Sequence, residues 1–216
     1  MGAAPDARVA LHFFRLVGMT YSIEQGLNMT RFHHYKGDSL SRSEKVERKV
    51  VELLLGFKVP DFERESSVVW ELKHSSGCIQ IARILAQKRG LDLELAETAA
   101  ALHDISVIQT GKYKDHAILG AIAARKILDE VGGFTEKEKK TILDAVAQHS
   151  EKDVVNSDNP YVELIKDTDA FDCSLYKGAE EEYKQSKPAP MVAKYVERIR
   201  RVRKELGLDE KDVFRK

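Results

Sequence analysis

Histidine and aspartate residues that can bind metal recur along this chain. They are His74, the contiguous pair His103-Asp104, His116, His149 and Asp169. They lie at or near apolar faces, as His74 does at helical spacing from Cys78 and Ile81. A buried imidazole or carboxylate is costly unless it is paired, so several of them facing one interior favour a bound cation. Neutral imidazoles together with ionised carboxylates suit Mn, Fe, Co, Ni or Zn rather than Ca.

Helices are the elements that must position these residues. Two capping boxes, Ser41-Arg42-Ser43-Glu44 and Thr135-Glu136-Lys137-Glu138, mark helix starts. No run of five or more residues alternates between apolar and polar as a half-buried strand would. The predicted helices run from Ser41 to Gly56, from Ser66 or Ser67 to Gly90, from Asp92 past His103, from Asp115 to Gly132, from Thr135 to His149, from Asn159 onward and from Pro190 to Leu206. The predicted fold is all-α, a single-domain bundle of six or seven helices, five of which carry the metal-capable residues.

The predicted domain boundaries follow from where these helices begin and end. Residues 1–40 fit the pattern least and are expected to be an N-terminal appendage of unknown role, with a short helix at Val9–Leu16. The helical domain is expected to span residues 41–207, and residues 208–216 to form a polar C-terminal tail. The apolar stretch Val9–Met19 is broken by His12 and Arg15 and is too short to span a bilayer.

The charge balance indicates which partners to expect, and the cysteine content indicates which compartment. The chain has 216 residues, with 35 Lys and Arg balanced by 35 Asp and Glu. This balance gives no indication of a membrane-surface or nucleic-acid-polymer partner. The two cysteines, Cys78 and Cys173, are too few and too far apart for a disulfide framework. We therefore expect free thiols, a reducing compartment and a cytoplasmic protein.

Three segments contain the metal-capable residues in a recognisable order: Trp70-Glu71-Leu72-Lys73-His74, Ala99-Ala100-Ala101-Leu102-His103-Asp104-Ile105 and Ile165-Lys166-Asp167-Thr168-Asp169. Together they resemble the HD superfamily of metal-dependent phosphohydrolases. The pattern is a His, a contiguous His-Asp pair after a small-residue helix, and a distant Asp, and the resemblance covers about residues 66–180. It implies an all-α bundle of the HD-domain type. It also implies that His74, His103, Asp104 and Asp169 bind one divalent metal ion, with Asp104 placed to bridge to a second.

Two further histidines are candidate ligands of that second ion. In the members of the superfamily that bind two metals, two histidines fall between the His-Asp pair and the last Asp. The segments around His116 and His149 resemble those two positions, which implies that both join Asp104 around a second ion. The alternative is that His116 and His149 are ordinary histidines near a helix start and a helix end, where the helix dipole acts on them. The sequence is therefore compatible with one bound ion or with two.

The resemblance implies hydrolysis of a nucleotide or another phosphate ester. A bound divalent ion would activate a water molecule and neutralise phosphoryl charge, and Asp104 would orient or deprotonate that water. Lys114 is a candidate catalytic residue in a loop, Ile105–Lys114, that would overhang the site. Lys73, Lys112 and Lys152 are candidates for binding the phosphate. The expected partner is a small phosphorylated substrate, a nucleotide in particular.

One stretch departs from the superfamily pattern. Many members carry a Glu or Lys two to four residues after the His-Asp pair, whereas Ile105-Ser106-Val107-Ile108-Gln109 has no charge. The subfamily and the substrate are therefore not fixed by the resemblance. Asp172, one turn after Asp169, is a candidate to order a ligand or a bound water from behind. An ordinary carboxylate on the helix surface explains it equally well.

Three other functions compete with hydrolysis. Some HD relatives with two irons are oxygenases, and the same six residues would fit that chemistry. The pocket could instead belong to a non-catalytic module that binds a metal or nucleotide for regulation. A structural helical domain with coincidental histidines is the third alternative. Metal content and oxygen-dependent turnover distinguish these possibilities.

Overall fold

The computed structural model describes residues 34–155 and 158–216. The short helix expected at Val9–Leu16 lies outside the described residues, as does most of the expected N-terminal appendage. Gly37–Lys216 form one compact unit.

The described residues are helical, and no β-strand occurs among them. The α-helices are α1 Arg42–Gly56, α2 Val68–Arg89, α3 Leu93–Leu102, α4 Ile105–Thr110, α5 His116–Val131, α6 Glu136–Gln148, α7 Pro160–Ser174, α8 Ala179–Ser186 and α9 Ala189–Glu205. A 3-10 turn at Asp61–Glu63 precedes α2. The prediction of an all-α bundle is confirmed.

Helix starts follow the capping residues of the sequence closely. Both predicted capping boxes form, with Ser41 at the start of α1 and Thr135 at the start of α6. Ser67, Asp92 and Asn159 cap α2, α3 and α7 with their side chains. These caps supply acceptors for backbone N–H groups that have no partner within the helix.

The region between α3 and α5 differs from the sequence prediction. The segment Ile105–Lys114, expected to be a loop over the site, begins with the short helix α4. Ile105, Val107 and Ile108 are buried in the core, so this stretch is too apolar to form an exposed loop. Gly111 ends the helix with a φ of 71°, a conformation that costs glycine little.

Two apolar cores hold the helices together. One lies among α1 to α7 and includes Leu54, Leu102 and Ile142. The other joins α2, α7 and α9. Val213 and Phe214 pack in this second core, and the Arg215 N–H donates to the Ser174 carbonyl at 2.9 Å. Within residues 208–216, expected to be a polar tail, Val213 and Phe214 therefore pack against the helical domain, while the other residues are exposed.

In the described part of the chain, every helix is too short or too polar to cross a membrane.

Candidate metal centre

The metal-capable residues occupy helix ends and two mid-helix positions. His103 caps the C-terminus of α3, and Asp104 directly follows at the start of α4. His116 is the first residue of α5, and His149 directly follows α6. His74 lies within α2 and Asp169 within α7. The fold thus brings all six residues together from different parts of the chain.

One half of the cluster surrounds the Nε2 atom of His74. This atom lies 3.2 Å from His103 Nε2, 3.5 Å from Asp169 Oδ1 and 3.7 Å from Asp104 Oδ2. His74 and His103 are fully buried, while Asp169 is slightly exposed. These four side chains are the set that the sequence predicts for a first ion.

The other half of the cluster surrounds the Oδ1 atom of Asp104. His116 Nε2 lies 3.4 Å from it and His149 Nε2 3.3 Å, and the two nitrogens are 3.1 Å apart. Ligand atoms of Asp104, His116 and His149 all lie within 4.8 Å of one another, so these three residues could hold an ion.

Asp104 thus lies between the two halves, with one oxygen facing each. Oδ2 faces His74 and His103, and Oδ1 faces the other two histidines and has no hydrogen-bond partner among the described residues. Burial acts to raise the pKa of Asp104, but His103 and His149 outweigh it and hold this pKa well below the usual range. The carboxylate is therefore ionised and could bridge two ions.

Backbone carbonyls fix the orientation of three imidazoles. His103 Nδ1 donates to Ala100 O, His116 Nδ1 to Tyr113 O and His149 Nδ1 to Val146 O, each at 2.7 Å. A carbonyl only accepts, so the Nδ1 atoms carry protons, and the Nε2 atoms are the ones left to bind a cation. The donor set and the unpartnered oxygen of Asp104 therefore fit a transition-metal centre.

Asp172 lies behind the imidazole of His74. Its Oδ2 accepts a hydrogen bond from His74 Nδ1 at 2.6 Å, which directs Nε2 of His74 toward the cluster. Burial acts to lower the pKa of His74. The carboxylates of Asp169 and Asp172 outweigh that effect and raise this pKa well above its usual value. The structure thus places Asp172 where a supporting carboxylate would lie.

Lys152 is the one predicted phosphate-binding lysine that the structure brings into the cluster. Its ammonium group is buried, forms an ion pair with Asp169 Oδ2 and donates to His149 O at 2.5 Å. Burial acts to lower the pKa of Lys152, but Asp169 outweighs it and raises the pKa. The two carboxylate oxygens of Asp169 therefore have different partners: Oδ1 faces His74, and Oδ2 pairs with Lys152.

The other three predicted lysines lie on the surface. Lys73 is on the exposed side of α2, one residue before His74. Lys112 donates to the Glu63 carbonyl at 3.1 Å, and Lys114 is exposed in the turn before α5. Helix α4 occupies the start of the segment that was expected to be a loop over the site, so the placement of Lys112 and Lys114 there needs correction.

The sequence prediction missed several side chains around the cluster. Glu71 is buried one turn before His74, and burial and the nearby Asp104 raise its pKa. Its carboxylate accepts a hydrogen bond from Tyr113 Oη at 3.2 Å. Trp70 stacks on the His74 ring with centroids 5.4 Å apart. Helical spacing from His74 was the available signal for Trp70 and Glu71, whereas Tyr113 carries no such signal.

The two cysteines also lie at this centre as free thiols. Cys78 Sγ is 3.7 Å from His74 Nδ1, and Cys173 Sγ donates to Asp169 Oδ1 at 3.6 Å. Burial is the main cause of the raised pKa of both thiols, so both are protonated in the metal-free protein. Each could join His74 in holding a metal, Cys78 with His103 and Cys173 with Asp169.

These features define a class of protein: an all-helical domain with a buried histidine and aspartate centre that could hold divalent metal. Residues 72–173 match the family model of the HD domain. The resemblance drawn from the three sequence segments is confirmed.

The chain is also similar to two curated proteins named Ribonuclease Y. The one from Petrotoga mobilis is 34% identical over 106 residues, which cover 48% of this chain and 18% of that protein. The one from Thermus thermophilus is 34% identical over 106 residues, covering 46% of this chain and 16% of that protein. The chain thus spans less than a fifth of the length of these relatives. No solved structure matches the chain.

Proposed function

We propose that this protein is a phosphohydrolase with two divalent metal ions that cleaves a phosphate ester of a nucleotide, a diester in particular. His74, His103, Asp104 and Asp169 would hold the first ion, and Asp104, His116 and His149 the second. When bound, such ions activate water near neutral pH, neutralise phosphoryl charge and clamp the attacking and leaving oxygens. Mn, Fe, Co, Ni and Zn all suit these ligands.

The position of Asp104 is the observation that carries this proposal. Its two oxygens face different histidine pairs, at 3.3 to 3.7 Å, and Oδ1 has no hydrogen-bond partner in the described part of the chain. A buried, ionised carboxylate between four imidazoles is costly unless a cation compensates it. Two ions sharing this carboxylate would use all four imidazoles at once.

The protein groups have distinct roles in the proposed reaction. Asp104 would orient the attacking water, because its carboxylate lies between the two ligand sets. Lys152 would use its remaining N–H to bind a phosphoryl oxygen while it holds Asp169. Asp172 would keep His74 aligned through the 2.6 Å hydrogen bond. Lys73, Lys112 and Lys114 are exposed and would contact only parts of the substrate that extend beyond the centre.

The substrate class follows from the proposed pair of ions and from the relatives. A pair of ions suits displacement at a phosphodiester, because both the attacking and the leaving oxygen carry charge. The two similar proteins are named as ribonucleases, which supports a ribonucleotide diester for this chain. A small diester, such as a dinucleotide, is the substrate we propose.

Metal content of variants tests the centre. Protein purified without chelator should contain two ions per chain, and His116→Ala or His149→Ala should retain one. His103→Ala should lose the first ion, and Asp104→Ala should lose both because Asp104 is shared. Tyr161→Phe is a matched control, since the Tyr161 hydroxyl accepts a hydrogen bond from the Asp92 N–H and is not among the residues of the centre. Unchanged stoichiometry in both the His116 and His149 variants would reduce the site to one ion.

Hydrolysis assays with added Mn²⁺ test the reaction. A dinucleotide should be cleaved, and a nucleoside monophosphate and a long oligoribonucleotide should be poorer substrates. Cleavage of the monophosphate alone, together with one bound ion, would contradict the diester proposal. Oxygen consumption by protein with two irons would indicate an oxygenase instead. Two bound ions without any turnover would indicate a regulatory module.

A further inference from the structure

The turn before α5 presents His116 in an unusual backbone geometry. Asp115, directly before it, occupies the N-cap position with a φ of 55° and makes no side-chain cap hydrogen bond. A non-glycine residue in the left-handed region is strained, and such strain persists only where the surroundings hold it. His116 is also the most exposed imidazole of the cluster, at 18%. Its orientation therefore depends on what holds this turn.

Tyr113 connects the turn to the imidazole of His116. The carbonyl of Tyr113 accepts the hydrogen bond from His116 Nδ1 at 2.7 Å, so it sets the direction of Nε2. The Tyr113 ring also meets the His116 ring edge-on, with centroids 5.6 Å apart. Displacement of Tyr113 would therefore move both the hydrogen-bond partner and the packing partner of His116.

Glu65 and Glu71 bind Tyr113 through hydrogen bonds, and Ser66 binds Glu71. Glu71 Oε1 accepts from Tyr113 Oη at 3.2 Å and also from the Ser66 hydroxyl. The backbone N–H of Tyr113 donates to Glu65 Oε2 at 2.8 Å, and the Glu65 N–H donates to Gly111 O at 2.9 Å. The tyrosine is thus fixed at both its backbone and its hydroxyl.

We infer that Glu71 is a positioning residue for the second metal ion, acting through Tyr113 on His116. Glu71 comes from the same helix as His74, a ligand in the other half of the cluster, so one helix would set the geometry of both halves. The role of Glu71 rests on one part of the proposed function, that His116 binds the second ion. It does not depend on hydrolysis. Glu71 is a buried carboxylate that is not itself among the predicted ligands.

Titration with Mn²⁺ alone tests this role without relying on turnover. In Glu71→Ala and Tyr113→Phe, binding of the second ion should weaken by about 10- to 100-fold, as is typical when a partner of a metal-bound histidine is removed. Binding of the first ion should stay unchanged. Glu71→Gln should bind the second ion like the wild type, because its amide oxygen still accepts from both hydroxyls. Tyr161→Phe should also match the wild type.

Electron paramagnetic resonance of the Mn²⁺-loaded proteins gives a second readout. The spin-coupled signal of two neighbouring ions should be present in the wild type and in Glu71→Gln, and lost from Tyr113→Phe at equal metal concentration. Tyr113→Phe also serves if Glu71→Ala does not fold. Wild-type binding of the second ion in both Glu71→Ala and Tyr113→Phe would overturn the inference. Equal loss in Glu71→Gln and Glu71→Ala would overturn it too.

The inference and the proposed function fail in different ways. Two ions bound by the wild type without hydrolysis of any ester would contradict the proposed function and leave the role of Glu71 intact. Two ions and hydrolysis in the wild type, with no change in metal binding by Glu71→Ala and Tyr113→Phe, would contradict only the role of Glu71. A single ion in the wild type would overturn both.

Discussion

Lys152 stabilises the ionised form of Asp169 in the metal-free centre. Its ammonium group forms an ion pair with the Asp169 carboxylate. The pKa of Asp169 is held well below its usual value, because Lys152, His74 and His103 outweigh the effect of burial. Asp169 therefore stays ionised without an ion, and its Oδ1 stays directed toward His74.

Replacing Lys152 by methionine should destabilise the metal-free protein. The substitution leaves Asp169 buried without its partner, which typically costs about 3–5 kcal/mol in the free energy of unfolding. Added Mn²⁺ should recover part of this loss, because the ion supplies the missing positive charge. Urea denaturation with chelator and with Mn²⁺ measures both values.

A double-mutant cycle provides the control for this residue. Lys152→Met combined with Asp169→Asn should cost less than the sum of the two single changes, because the second substitution removes the uncompensated charge. Additive losses, or a loss below about 1 kcal/mol for Lys152→Met alone, would contradict the ion-pair role.

Helices could be predicted from the sequence better than the surroundings of the site. Caps such as Ser41 and Thr135 are local signals, and the structure forms them as predicted. Helix α4 was missed because a short apolar segment carries no clear period. The hydrogen bond between Glu71 and Tyr113 spans 42 positions along the chain, and no spacing rule can indicate such a contact.

Gly77 shows how helix packing supports the site at the element scale. It lies in the middle of α2, where glycine costs about 1 kcal/mol relative to alanine. A Cβ atom at this position would lie 2.0 Å from Asp172 Oδ1 on α7. The glycine therefore permits the close approach of α2 and α7 that lets Asp172 reach His74.

Gly77→Ala should impair metal binding although alanine favours helix formation. Its Cβ would push Asp172 away from His74 Nδ1, and affinity for the first ion should fall about 10- to 100-fold. Gly56→Ala is the matched control, since nothing lies within 4 Å of a Cβ at Gly56. Isothermal titration with Mn²⁺ measures the change. Equal affinity in the Gly77 and Gly56 variants would exclude this role for the glycine.

At the scale of the whole molecule, protons and metal ions compete for the same imidazoles. Burial acts to lower the pKa of His103, but Asp104 outweighs it and raises this pKa; the pKa of His74 is also raised. Protons on these two residues stabilise the metal-free fold below the unfolded pKa of about 6.5. That contribution is lost as pH rises through the folded pKa values. Burial lowers the pKa of His149, so this imidazole releases no proton in that range.

The stabilisation that metal confers should therefore grow as pH rises from about 6 to about 8. Ion binding requires neutral imidazoles and releases the protons of His74 and His103, so it becomes more favourable as those protons are lost. The measurement is the difference in Tm between Mn²⁺-loaded and chelated protein at several pH values. Asp104→Ala, which should bind neither ion, should show little difference at any pH. A difference in the wild type that stays constant or shrinks toward high pH would mean that these imidazoles carry no protons for the ion to displace.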